Sequence, residues 1–80
     1  MITVHTKLFA TLRGHYPHLG IGEPMPVEIP AGATVSDLIE RLRLPADDVK
    51  IVFVNNVVRQ DGHVLVDGDE VGLFPTVGGG

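Results

Sequence analysis

The chain has 80 residues, a formal net charge of −4 and no cysteine. The lack of cysteine excludes disulfides, thiolate zinc sites, iron–sulfur clusters and cysteine nucleophiles. It also predicts a cytoplasmic protein, because small secreted domains usually carry disulfides. The six Lys and Arg residues are scattered, so no basic face for DNA or RNA is expected. Since a chain this short has little room for a deep active site, a carrier, a binding module or a subunit is favoured over a free-standing enzyme.

The first third of the chain contains two predicted strands. Residues 2–8 alternate between apolar and polar side chains, which indicates a half-buried strand. Residues 9–16 are expected to hold a short helical turn, which Pro17 ends. Residues 17–26 are rich in proline and glycine and indicate a loop. Residues 25–29 then form a short, proline-flanked strand, expected at a sheet edge.

One main helix is predicted after residue 33. Thr34 is a good N-cap residue, and Asp37 follows it at the spacing of a capping box. Pro45 stops the helix. Apolar residues recur at helical spacing and form one buried stripe, which consists of Val35, Leu38, Ile39 and Leu42.

The second half of the chain indicates three more strands. Residues 51–54 are apolar on both faces, Asn55-Asn56 is a tight-turn signal, and residues 57–59 form the returning strand. Residues 70–74 are the last strand. One helix and about five strands are packed most economically as an α+β roll, in which a mixed sheet curls around the helix. We therefore expect one domain over residues 1–77 and a flexible glycine tail over residues 78–80.

The glycine tail carries the strongest functional signal. Gly78, Gly79 and Gly80 cost backbone entropy and bury no side chain, so they contribute nothing to the fold. They are either a frayed end or a thin segment that threads a narrow channel in a partner. The α-carboxylate of such a tail is ionised at neutral pH and can attack the α-phosphorus of a nucleoside triphosphate to form an acyl-adenylate.

The segments around this tail resemble those of a known family. Residues 67–71, followed by Leu73 to Gly79, are similar to the ending of the MoaD/ThiS sulfur carriers, which are ubiquitin-like β-grasp proteins. Val54-Asn55 and the strand at Val57-Val58 match the mid-chain pattern of that family. The Phe-Pro-x-Val approach to the glycines resembles the small subunit of molybdopterin synthase more than the thiamine carrier.

The resemblance implies a carrier that binds no cofactor and catalyses nothing itself. An ATP-dependent activating enzyme of the ubiquitin-activating type would adenylate the terminal glycine. A persulfide donor would convert it to a thiocarboxylate, and the sulfur would pass to an acceptor such as the large subunit of molybdopterin synthase. Thr76 stands where a second proline is common, and the third glycine leaves open whether Gly79 or Gly80 is activated; Gly80 is expected if it is the native end.

The strand pattern also predicts a surface for these partners. If Val52 and Val54 face the helix, Phe53 faces outward, and Gly72 and Phe74 share that face. Alternatively, a loop covers this face, or the register differs by one residue and the faces exchange. The predicted partner-binding residues are Phe53, Gly72, Phe74, Pro75, Thr76 and Val77.

Other signals are weaker and lead to no site. His15 and His18 lack further ligands for a metal, so none is expected. No stretch is apolar enough for a signal peptide or a membrane span. Three alternatives stay open: a sister carrier serving thiamine, tungsten-cofactor or cysteine synthesis, a protein modifier joined to lysines through Gly80, and a plain β-grasp interaction module with an idle tail.

Overall fold

A computed structural model of the chain describes residues 1–20 and 22–75. This part contains five strands, one α-helix and two short 3₁₀ segments. The strands are β1 (Ile2–Leu8), β2 (Met25–Ile29), β3 (Val49–Val54), β4 (Val57–Val58) and β5 (Glu70–Pro75). The helix is α1 (Val35–Arg41), and the 3₁₀ segments are Ala10–His15 and Ala46–Asp48. None of the helices in the described residues is long and apolar enough to cross a membrane.

The five strands form one mixed sheet in the order β2-β1-β5-β3-β4. β1 and β5 are parallel, whereas the pairs β1–β2, β3–β5 and β3–β4 are antiparallel. This arrangement confirms the predicted α+β roll and the predicted edge position of β2. The boundaries of the predicted domain and tail fall at residues 77 and 78, outside the described residues, so this division stays a prediction.

The core is aliphatic and lies between α1 and the inner face of the sheet. The predicted helix stripe is buried throughout, and Val52 and Val54 of β3 face the same core. Each such side chain contributes about 1.5–3 kcal/mol of burial before entropy is subtracted. The buried apolar residues are Val4, Leu8, Leu12, Val27, Ile29, Ala33, Val35, Leu38, Ile39, Leu42, Leu44, Val52, Val54, Leu65, Val71 and Leu73.

The start of α1 is the predicted capping box. The backbone N–H of Asp37 donates to the Thr34 hydroxyl oxygen at 3.3 Å, and the backbone N–H of Thr34 donates to the Asp37 carboxylate at 2.9 Å. Two backbone donors that the helix itself cannot satisfy therefore have partners. The local capping box marks where this helix begins, and bonds from the N–H groups of Val35 and Ser36 to the carbonyls of His63 and Asp61, both at 3.0 Å, hold its first turn.

The end of α1 places Arg43 in a backbone conformation that is unusual for a residue with a side chain. The N–H of Arg43 donates to the Glu40 carbonyl at 3.0 Å, and the N–H of Leu44 donates to the Ile39 carbonyl at 3.2 Å. This is the Schellman pattern, which places the residue after the C-cap Leu42 in the left-handed region. Glycine is usual there, but here Arg43 adopts a φ of 57°. The helix thus ends before Pro45, as predicted, at some cost in backbone strain.

Replacing Arg43 by glycine is therefore expected to raise the free energy of unfolding by about 0.5–1 kcal/mol, because glycine adopts positive φ without a Cβ clash. Arg43 is exposed, so little packing is lost. The matched control is Arg41→Gly, two residues earlier and still helical, which should lower stability by up to about 1 kcal/mol. Urea denaturation of the three proteins measures both changes. Destabilisation by both substitutions would contradict this account of the helix end.

Candidate functional site

The outer face of the sheet, opposite the core, carries an aromatic cluster. Phe53 of β3 pairs with Gly72 of β5, and Phe74 lies two residues further along β5 on the same face. Phe9, which directly follows β1, joins them. These are the three phenylalanines of the chain, and each is half-buried. We call Phe9, Phe53, Gly72 and Phe74 the aromatic face.

The three rings are packed on one another in defined geometries. The ring centroids of Phe9 and Phe74 are 4.2 Å apart, and the planes differ by 2°, so the rings are stacked. The centroids of Phe53 and Phe74 are 5.4 Å apart with an interplanar angle of 74°, an edge-to-face contact. Each such pair contributes about 0.5–1.5 kcal/mol beyond area burial. Phe74 is therefore held from both sides.

Gly72 forms the floor of this cluster. A Cβ atom at this position would lie 3.4 Å from Cε2 of Phe9, 3.5 Å from Cε1 of Phe74 and 4.0 Å from Cβ of Phe53. The same face carries a depression of about 270 Å³, and its lining includes the three rings, Gly72 and Lys7. An apolar side chain of another molecule can enter this depression and contact two or three rings.

Phe9 is the member of the aromatic face that sequence reasoning missed. The sequence placed it at the start of a helical turn. In the structure its N–H donates to the Leu73 carbonyl at 3.2 Å, so it extends β1 by one residue before the 3₁₀ segment begins. Ala10 then turns the chain with a φ of 51°. The signal was present, because Thr3, His5 and Lys7 share the outer face and Phe9 is next in that alternation.

The predicted partner-binding residues fall into two groups. Phe53, Gly72 and Phe74 lie on the outer face of the sheet, the face on which the strand pattern predicted them. Pro75 is the last residue of β5 and pairs with Val49. Thr76, Val77, Gly78, Gly79 and Gly80 lie outside the described residues. Whether any of these residues contacts a partner stays a prediction.

The entry into β5 is fixed by a buried carboxylate. Asp69 is only 5% exposed. One of its oxygens accepts from Nδ2 of Asn55 and the other from the backbone N–H of Val66, both at 2.9 Å. Oδ1 of Asn55 in turn accepts from the N–H of Glu70 at 3.0 Å. The sequence indicated turns at both places, but not this link between them.

The signals that the sequence set aside gain no support from the geometry. Among residues 1–20 and 22–75, no group of three or more His, Asp or Glu side chains is arranged to hold a metal ion. The Asp67-Gly68-Asp69 segment is a turn in which Gly68 has a φ of 87°. The Asp67 carboxylate accepts from the N–H of Thr3 at 2.8 Å, so both aspartates of this turn have structural partners.

Comparison with known proteins places the chain in a family. The model of the ThiS family matches residues 7–80. No protein with a curated description matches with significance. A candidate molybdopterin converting factor, subunit 1, from Pyrococcus furiosus is 27% identical, with a TM-score of 0.74 over 96% of this chain and 100% of that chain.

Ubiquitin-like proteins of archaea are similar as well. Small archaeal modifier protein 1 from Haloferax volcanii is 26% identical, with a TM-score of 0.69 over 98% of this chain and 99% of that chain. A ubiquitin from Caldiarchaeum subterraneum, at 19% identity, shares the fold with a TM-score of 0.60 over 99% of this chain and 98% of that chain. The chain therefore belongs to the ThiS family, whose members are small β-grasp proteins of the sulfur-carrier and ubiquitin-like modifier type.

Proposed function

We propose that the chain is a sulfur carrier for molybdopterin synthesis, the pathway of the molybdenum and tungsten cofactors, and that Gly80 is its working residue. The family match carries this proposal, because it extends to residue 80 and includes Gly78 and Gly79. The similarity to the molybdopterin converting factor subunit supports the choice of pathway. The carrier is a co-substrate in this proposal, and its partners perform the catalysis.

The proposed chemistry takes place on the Gly80 carboxylate in two stages. A carboxylate oxygen attacks the α-phosphorus of ATP in the activating enzyme, which forms an acyl-adenylate and releases pyrophosphate. The terminal sulfur of a persulfide then attacks the acyl carbon, AMP leaves, and an acyl disulfide remains. A thiol cleaves the S–S bond of that disulfide, which leaves the thiocarboxylate on Gly80 and a disulfide on the donor side.

The aromatic face is the surface on which we propose that the activating enzyme and the acceptor dock. Half-buried aromatic rings around a glycine floor are typical anchors of protein interfaces. Phe74 lies next to Pro75, from which the remaining five residues can reach at most about 17 Å in extended form. A partner that holds the aromatic face therefore holds the start of the tail at a defined distance from its own active site.

A second candidate function is modification of proteins. The similarity to small archaeal modifier protein 1 favours it, and the activated carboxyl is common to both functions. Here a lysine amine would attack the acyl carbon of activated Gly80 and form an isopeptide bond. Immunoblots of cells that show covalent conjugates dependent on Gly80 would select this function. A sister carrier role in thiamine or cysteine synthesis differs only in the acceptor protein.

Reconstitution with an activating enzyme, ATP and a persulfide donor is expected to raise the intact mass of the chain by about 16 Da, the exchange of one oxygen for sulfur. Intact-mass spectrometry measures this and also shows whether Gly79 or Gly80 carries the sulfur. A variant without Gly79 and Gly80 should gain no mass and keep its melting temperature, because terminal residues contribute little stability. Equal mass gain in the truncated variant would contradict the proposal.

Substitutions on the aromatic face should weaken binding to the activating enzyme by tenfold or more, about 1.4 kcal/mol, without unfolding the domain. Gly72→Leu displaces the stacked rings that lie over Gly72, Phe74→Ala removes the central ring, and Phe53→Asp places a charge on the face. The matched control is Gly72→Ala, whose methyl group meets the rings at ordinary contact distance. Isothermal titration calorimetry measures the affinities. Unchanged affinity in all three variants would remove this face from the binding model.

A further inference from the structure

The chain contains two Asp-Gly dipeptides, Asp61-Gly62 and Asp67-Gly68, and both occupy the same place in a turn. Each turn is closed by a hydrogen bond from a backbone N–H to the carbonyl three residues earlier; the bonds are His63 to Gln60 at 3.0 Å and Asp69 to Val66 at 3.1 Å. Each dipeptide therefore supplies the two central residues of a four-residue turn. All four central residues are exposed.

An Asp-Gly dipeptide can react with itself. The backbone nitrogen of the glycine bonds to the Cγ carbon of the aspartate, its proton leaves with the carboxyl hydroxyl as water, and a five-membered succinimide ring forms. Water then opens the ring at either carbonyl carbon. Opening at the α-carbonyl gives isoaspartate, whose backbone runs through Cγ and is one carbon longer. Glycine favours ring closure because it has no Cβ that obstructs the approach of its nitrogen.

In the second turn, Thr3 of β1 holds both reacting groups. The N–H of Thr3 donates to the Asp67 carboxylate at 2.8 Å, and the Thr3 carbonyl accepts from the N–H of Gly68, also at 2.8 Å. Thr3 itself pairs with Glu28 of β2, so it is part of the sheet. The Gly68 nitrogen can reach Cγ of Asp67 only after both bonds to Thr3 are broken.

In the first turn, the reacting groups are not held in this way. Within residues 1–20 and 22–75, neither the N–H of Gly62 nor the Asp61 carboxylate takes part in a hydrogen bond. A Cβ atom at Gly62 would meet no other described part of the chain within 4 Å. The turn is anchored only through its carbonyls, of which that of Asp61 accepts from the N–H of Ser36 at 3.0 Å. The nitrogen and the carboxyl group are therefore free to approach each other.

We propose that Asp61 is a site of spontaneous isomerisation to isoaspartate, and that Thr3 protects Asp67 from the same reaction. The reaction consumes and releases only water and requires no enzyme or cofactor. Its product presents a free α-carboxylate on an exposed turn, which is the group that a repair methyltransferase methylates with S-adenosylmethionine. The site is independent of the Gly80 chemistry and of the aromatic face.

Isomerisation at Asp61 loosens the start of α1. The N–H groups of Val35 and Ser36 donate to the carbonyls of His63 and Asp61, which satisfies two donors that the helix itself leaves without partners. Isoaspartate adds one carbon to the backbone between these two carbonyls and converts that of Asp61 into a free carboxylate. The two acceptors then no longer match the spacing of the two donors. The isomerised chain is therefore expected to melt at a lower temperature than the fresh chain.

The test is ageing of the full chain for several weeks at mildly acidic pH, folded and in guanidinium chloride. A protease that cleaves before aspartate but not before isoaspartate, followed by mass spectrometry, measures the uncut fraction at each site. In the folded chain, isoaspartate at Asp61 should exceed that at Asp67 by about tenfold or more, because two bonds protect Asp67. In denaturant the two extents should become similar. Equal extents in the folded chain, or an excess at Asp61 that denaturant leaves unchanged, would overturn the proposal.

Two variants with the same substitution locate the reaction. Gly62→Ala places a methyl group beside the attacking nitrogen and should lower the isoaspartate at Asp61 several-fold. The matched control is Gly14→Ala, at a glycine that follows Arg13 and not an aspartate, and it should react like the wild type. A Cβ atom at either glycine meets no other described part of the chain within 4 Å, so both variants should fold. Equal isoaspartate at Asp61 in Gly62→Ala and wild type would overturn the proposal.

Discussion

The central position of β5 is the constraint on which the rest of the structure depends. This strand pairs with β1 on one side and with β3 on the other, so the backbone that leads to the glycines cannot swing at its base. Asp69 fixes where the strand begins, and the pair Val49–Pro75 extends the sheet to the last described residue. In the proposed function, the segment that carries the Gly80 carboxylate therefore begins at the central strand of the sheet.

The fold separates aliphatic from aromatic residues. Among the described residues, the buried core contains no phenylalanine, although large aromatic side chains would bury more area per residue. All three phenylalanines instead form the aromatic face, where they stack on one another. Because stability rests mainly on the aliphatic side, the aromatic side can be shaped for partners. This separation is the reason that substitutions at Phe53 or Phe74 test binding rather than folding.

Local sequence predicted what depends on neighbours in the chain and missed what depends on distant ones. The Thr34–Asp37 capping box and the Asn55-Asn56 turn join residues that are close in sequence, and both are confirmed. The alternation of β1 allows Phe9 on the outer face, but the bond that keeps Phe9 extended comes from Leu73, 64 residues away. The Asp69–Asn55 hydrogen bond likewise joins two turns that sequence reasoning treated separately.

In the proposed function, the aromatic face also constrains the order of events. Phe74 precedes Pro75 on β5, so a partner that docks on this face lies beside the start of the segment that carries Gly80. Two proteins cannot cover the same three rings at once. The activating enzyme and the acceptor would therefore bind in turn, and each would leave before the next binds.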